Sequence, residues 1–176
     1  IEFNVVGADP IALDTEYAVS HEEYTTAAFS FTPEESGDYV FISYGATDKV
    51  WAHAYDSYMD SFLSIYPDEN DFRMEAYLTE GETYYFTTRH DSDDCTSGYN
   101  VKLAAMVDAT SVSLNYTEFT GAIGSMIKLN AEFAPYNSRS EHVYWSSSNE
   151  DVATVDSDGT VSLNAIGVAT VIAESE

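Results

Sequence analysis

Short runs rich in Val, Ile, Thr, Tyr and Phe recur along all 176 residues, each bounded by Gly, Asp, Asn or Ser clusters. No segment keeps apolar residues at a helical period for three turns. This punctuation is the feature that most limits the fold. A chain that turns every few residues cannot bury its apolar side chains along helices, so it must pack sheet against sheet. In the first half the strand candidates are Glu2–Val6, Ala28–Thr32, Asp38–Tyr44, Val50–Tyr55, Phe62–Tyr66, Phe72–Leu78, Thr83–Arg89 and Tyr99–Met106. In the second half they are Ser111–Asn115, Met126–Phe133, His142–Ser146, Val152–Asp156, Thr160–Asn164 and Ala169–Ala173. Ser20 to Glu23 and Thr32 to Glu35 have capping-box spacing, but no apolar helical run follows either, so both read as turns. The fold class predicted is all-β, built from antiparallel sheets.

Aromatic density drops near Val107–Thr110, which divides the chain into 1–107 and 108–176. The first part carries 4 basic against 21 acidic residues, net −17; the second carries 2 against 10, net −8. The linker has no Pro/Gly/Ser run, so a restricted relative orientation is expected. A total charge of −25 repels phosphate backbones and anionic lipid, because there are no counterions to release on contact. Nucleic acid is therefore a poor partner, while cations, neutral glycans and proteins remain open. Solubility or adaptation to high salt explains the acidity equally well. Neither a run of about 18 apolar residues nor a basic start leading into an apolar stretch occurs. The chain opens at Ile1 in mid-pattern and reads as a piece of a longer protein.

Within 1–107, FTPEESGDYVFIS (Phe31–Ser43) echoes LTEGETYYFTT (Leu78–Thr88): an apolar strand end, an acidic Gly turn, then an aromatic strand. Gly37 and Gly81 are expected to supply the backbone freedom at these two corners. In the second half, WSSSNEDVATVDSDGTVSLNAIG (Trp145–Gly167) reads as strand, polar turn, strand, tight turn, strand. Asp158-Gly159 predicts a two-residue hairpin. Gly167 breaks the chain before the last strand.

VSLN at Val112–Asn115, Gly124 with MIKLNAEFAP, and VYWSSSNEDVATVDSDGTVSLNAIGVATVIA together resemble the bacterial immunoglobulin-like domain, group 2. The resemblance runs from about Ala109 to the end. It implies an immunoglobulin-like β-sandwich of the kind repeated in bacterial surface proteins and adhesins. Members of that family continue past the Ala169–Ala173 strand with a further one, so the resemblance implies a missing last strand and an unpaired edge. Trp145 could be a ligand platform or a core pin. Sharing a strand face with Val143, opposite Tyr144, it reads as the pin.

AFSFTPEESGDYVFISYG, DSFLSIY, FRMEAYLTEGETYYFTT and GYNVKLA resemble the bacterial pre-peptidase C-terminal domain over about Ala27 to Ala104. This implies a jelly-roll-like sandwich that accompanies secreted enzymes and surface proteins, sometimes with calcium or polymeric ligands. Together the two resemblances imply tandem sandwiches, jelly-roll-like then immunoglobulin-like. They also imply a non-enzymatic segment that is extracellular or at the cell surface, beside neighbouring domains of the same chain.

Two sets of candidate site residues follow. Trp51 and Tyr55, with His53 between them, share a face of an extended segment and could stack on sugar rings. The competing reading, which weighs more, has them lining the first core. Asp91, Asp93 and Asp94 form an acidic loop that could contribute oxygens to calcium, as could Asp68, Glu69, Asn70 and Asp71. Solvated turns that cap backbone N–H groups are the plainer explanation. Asp156-Ser-Asp158-Gly159 matches the opening of an EF-hand loop but lacks the later ligands and the helices, so it reads as a hairpin turn. No other cofactor is implied.

Catalytic patterns are lacking. His21, His53, His90 and His142 are scattered, and no G-x-S-x-G, HExxH or phosphate loop occurs. Cys95, the single cysteine, allows no intrachain disulfide. It lies near His90 and Asp91, in an acidic loop that should raise its thiol pKa and leave it inert. The Asn115-Tyr116-Thr117 sequon reads as chance in a bacterial chain.

Overall fold

The computed structural model describes residues 7–20, 26–91, 97–139 and 142–175. The predicted strand Glu2–Val6, most of the Ser20–Glu23 turn, and His21, Asp93, Asp94 and Cys95 lie outside these. All regular structure among the described residues is β-strand, and the chain divides into two compact units, Ile1–Met106 and Val107–Glu176.

The first unit comprises β1 (Asp9–Pro10), β2 (Glu16–Val19), β3 (Ala27–Phe31), β4 (Gly37–Tyr44), β5 (Val50–Tyr55), β6 (Ser61–Ile65), β7 (Arg73–Leu78), β8 (Tyr84–His90) and β9 (Tyr99–Ala105). One sheet runs β1-β3-β8-β5-β6 and the other β2-β9-β4-β7. Apart from the parallel β1–β3 pair, every pairing is antiparallel. The pairs β5–β6, β4–β7, β3–β8 and β2–β9 nest inside one another, as if a single long hairpin had been rolled up. That is the strand order of a jelly roll, with β1 added at one edge.

The order follows from side-chain alternation. On β4, Tyr39 and Phe41 face inward; on β8, Tyr84 and Phe86 do; on β9, Tyr99, Val101 and Leu103 do. Phe41 occupies the centre of the core, with ring centroids 6.0 Å from Phe29, 5.0 Å from Phe86 and 5.2 Å from Phe72. The first two contacts bridge the two sheets. On β5 the inward residues are Val50, Ala52 and Ala54.

The second unit comprises β10 (Ser111–Leu114), β11 (Met126–Lys128), β12 (Ala131–Ala134), β13 (Val143–Ser147), β14 (Ala153–Val155), β15 (Thr160–Leu163) and β16 (Val171–Ser175). They form the antiparallel sheets β10-β12, β11-β15-β14 and β13-β16 around Leu129, Ala153 and Val161. Leu114, Ile127, Trp145, Val155, Leu163 and Val171 pack against that centre, partly covered.

Several expectations need correcting. The segment predicted as one strand over Met126–Phe133 is two, in different sheets. At the break, Leu129 turns into the core and donates its N–H to the Gly159 carbonyl (2.9 Å). Asn115 brackets the switch. Its Nδ2 donates to the Lys128 carbonyl (3.2 Å) and its Oδ1 accepts from the Asn130 N–H (2.9 Å). Its own N–H donates to the Asn130 carbonyl (3.2 Å). Strands β1 and β2 escaped notice because they are short and carry Asp9 and Glu16. Gly81 has φ +76°, but Gly37 opens β4 without a positive φ, so only one of the two corners uses a left-handed glycine.

The β14–β15 hairpin has a loop of Ser157, Asp158 and Gly159 rather than two residues. It is closed by Asp156 N–H donating to the Thr160 carbonyl (3.0 Å), with Gly159 at φ +84°. That left-handed third position is what a three-residue hairpin requires.

Candidate functional site

The first unit's five-stranded sheet carries the candidate site on its outer face. Because side chains alternate along β5, sending Val50, Ala52 and Ala54 inward sends Trp51, His53 and Tyr55 outward. This overturns the expectation that these three line the core. The small alanine face fits beside bulky neighbours instead: Ala54 stands opposite Phe86 in the register, so a large ring at 54 would collide with a core already filled by phenylalanines.

Cross-strand register assembles the rest. Trp51 pairs with Arg89, His53 with Thr87, and Tyr55 with Tyr85 on β8; His53 pairs with Ser64 on β6. The Arg89 guanidinium carbon sits 4.8 Å from the Trp51 ring centroid, a cation–π arrangement. Tyr66, just beyond β6, meets Trp51 edge-on at 4.9 Å and His53 at 5.5 Å. His53 and Tyr55 lie 6.4 Å apart. The His53 Nδ1 is 2.9 Å from Ser64 Oγ, which fixes the ring's direction. Burial, with the Arg89 charge as the second cause, lowers the His53 pKa and favours neutral imidazole. A bulge between Ala54 and Tyr55 re-aims the strand end.

Tyr66 is the most open of these rings, 58% exposed. Trp51, His53 and Tyr55 are half-buried. Sequence reasoning found Trp51 and Tyr55 but missed Tyr66 and Arg89. Only strand pairing brings those two alongside, and residue numbers up to 38 apart carry no local sign of it. The face offers ring surfaces, the hydrogen-bonded His53–Ser64 pair and the Arg89 cation.

In the second unit Trp145 shares a half-buried face with Val143 and Ser147, while Tyr144 is 50% exposed on the other side. Its indole packs on the Leu129–Ala153–Val161 centre. It is a core pin with one margin open, rather than a ring fully enclosed.

Asp71 and Asp158 shape turns. Asp71 Oδ1 accepts from Ser43 Oγ (3.0 Å) and the Ala46 N–H (3.2 Å), and Asn70 Nδ2 donates to the Ala46 carbonyl (3.3 Å). In the β14–β15 loop, Asp158 Oδ1 accepts from Thr160 N–H (3.0 Å) and Oγ1 (2.7 Å), and Lys128 Nζ pairs with Asp158 Oδ2 (2.9 Å). Asp91 is exposed, and its N–H donates to the Lys49 carbonyl (2.8 Å). Among the described residues no three His, Cys, Asp or Glu side chains gather as a metal ion would need. His90 points into the sandwich, where Nε2 meets the Ser97 carbonyl at 2.9 Å and the ring meets Tyr99 edge-on at 5.1 Å.

Residues 108–176 match the family model of the bacterial Ig-like domain (group 2). The second unit is thus similar to the immunoglobulin-like modules of bacterial proteins. Over 71 residues the chain is 35% identical to the A type blood N-acetyl-alpha-D-galactosamine deacetylase of Flavonifractor plautii. That match takes in 40% of this chain and 9% of the relative, so the chain spans less than a tenth of that enzyme's length. Among solved structures, the pre-peptidase C-terminal domain of collagenase from Bacillus anthracis aligns with 58% of this chain and 99% of its own. Sequence identity there is 11% and the TM-score 0.48.

Proposed function

We propose that this chain is a non-catalytic segment of a secreted or cell-surface bacterial protein. The immunoglobulin-like unit spaces and presents its neighbours, and the jelly-roll unit supplies a contact surface. The match of residues 108–176 to the bacterial Ig-like domain carries this reading. The turn chemistry supports it, because Asn115, Asp71 and Asp158 are engaged in holding backbone. The test is protease shaving of intact source cells, with the released peptides identified by mass, beside assays of the purified segment on chromogenic esters, glycosides and peptides. Release of this segment and no turnover are expected. Protection from protease in intact cells, or turnover by the segment, contradicts the proposal.

A second reading has its own ground, since the curated relative is named as a deacetylase acting on a blood-group sugar. Here the segment would be the accessory part of a larger glycan-active enzyme or a secreted peptidase. The complete open reading frame separates the two: a catalytic domain in the same frame favours the accessory role, and further Ig-like repeats alone favour the adhesin-like spacer.

A further inference from the structure

We propose that the outer face of the β1-β3-β8-β5-β6 sheet binds a neutral oligosaccharide along the stripe Tyr66–Trp51–His53–Tyr55, with Arg89 as a hydrogen-bond donor at its rim. The inference rests on the reading of the first unit as a contact surface and names what that surface takes.

The geometry that favours a sugar is the interleaving of rings with polar groups. A pyranose presents apolar C–H patches ringed by hydroxyls, and it binds where an aromatic face lies beside directed donors and acceptors. Here the 58%-exposed Tyr66 ring meets Trp51 in a T-shaped contact, ring centroids 4.9 Å apart. Arg89 is held at 4.8 Å from the Trp51 ring centroid, so its N–H groups are positioned before any ligand arrives. His53, oriented by Ser64 at 2.9 Å, adds a neutral ring nitrogen midway along the stripe.

Extended strand spacing places Trp51 and Tyr55 roughly 14 Å apart, a span suited to several linked sugars rather than one. The stripe lies on a paired sheet, so little ordering entropy is lost on binding. Charge narrows the class further. The protein carries −25 overall, which works against sialylated or sulfated chains even with Arg89 at the rim. A protein partner would be expected to meet a contiguous apolar patch, whereas this stripe carries the His53 ring nitrogens, the tyrosine hydroxyls and the Arg89 guanidinium among its touching rings.

The test is a glycan array carrying neutral oligosaccharides of increasing length beside sialylated and sulfated versions of the same cores, probed with the intact 176-residue chain. Neutral glycans should bind, with signal rising from mono- to tetrasaccharide. Tyr66→Ala should weaken binding at least tenfold without moving the melting temperature, because the ring is exposed. Tyr77→Ala, which removes a 65%-exposed tyrosine from the other sheet, should change nothing. The proposal is overturned by a silent array with folded protein, by preference for the anionic glycans, or by equal losses in both variants. A silent array leaves the reading of the chain as a non-catalytic surface segment standing, because that reading is judged by surface exposure and absence of turnover.

Discussion

The Trp145 indole lies directly against Gly159. A Cβ built on Gly159 would sit 2.9 Å from Trp145 Cζ2, 3.0 Å from Cε2 and 2.6 Å from the Leu129 carbonyl oxygen. The hairpin loop thus closes over the ring, and its glycine meets two demands: a left-handed φ of +84° and no side chain. Gly159→Ala should cost about 1–2 kcal/mol for the backbone alone, with the collision adding to it. Urea denaturation should show a lower midpoint at unchanged slope. A variant as stable as the parent would show that the ring does not pack there.

The same loop predicts a pH dependence. The hydrogen-bonding contact with Asp156, followed by those with Thr160 and Lys128, holds the Asp158 carboxyl well below the usual carboxylate range. A depressed folded-state pKa stabilises the fold above the unfolded value, about 3.9, and that contribution is lost as pH falls through the folded value. Wild type should melt above Asp158→Asn at pH 7, and the gap should narrow steadily below about pH 4. The pair with Lys128 is exposed, so 1 M NaCl should also narrow the gap at pH 7. A gap that widens in acid contradicts the assignment.

Asn115 gives a third expectation. Its amide satisfies backbone groups on both sides of the point where the chain leaves the β11 sheet for the β12 sheet. Asn115→Ala should cost about 1–2 kcal/mol, and Asn115→Asp, which keeps only the acceptor, should fall between the two. Equal midpoints for all three proteins in urea would remove the staple from the description.

Much of this architecture is legible in the sequence, for physical reasons that differ from element to element. Val50–Tyr55 and Tyr99–Ala105 declare themselves because β-branched and aromatic residues alternate between turn signals. The immunoglobulin-like half is legible through spaced motifs. The break at Leu129 is not: Ile127, Leu129, Ala131 and Phe133 keep an unbroken two-residue period, and only the side chain of Asn115, more than ten residues earlier, marks it. The orientation of β5 is not legible from the size of its residues. Its large residues are outside and its alanines inside, since the space they face is already occupied by Phe86 and its neighbours. Arg89 and Tyr66 join Trp51 through strand register, which the sequence alone does not specify.

The two tryptophans therefore have opposite placements: Trp145 supports a small core, and Trp51 lies on the outward face proposed to bind glycan. Substituting each with alanine, and following thermal unfolding and glycan-array binding together, tests this most directly. Trp145→Ala should cost about 3 kcal/mol, the low end for a large aromatic truncation because the ring is partly open. That lowers the melting of the second unit by more than about 10 °C, with glycan binding retained at temperatures where the chain is folded. Trp51→Ala should abolish binding with a much smaller shift in melting. Loss of binding on removing Trp145 with its stability intact, or undiminished binding without Trp51, would contradict it.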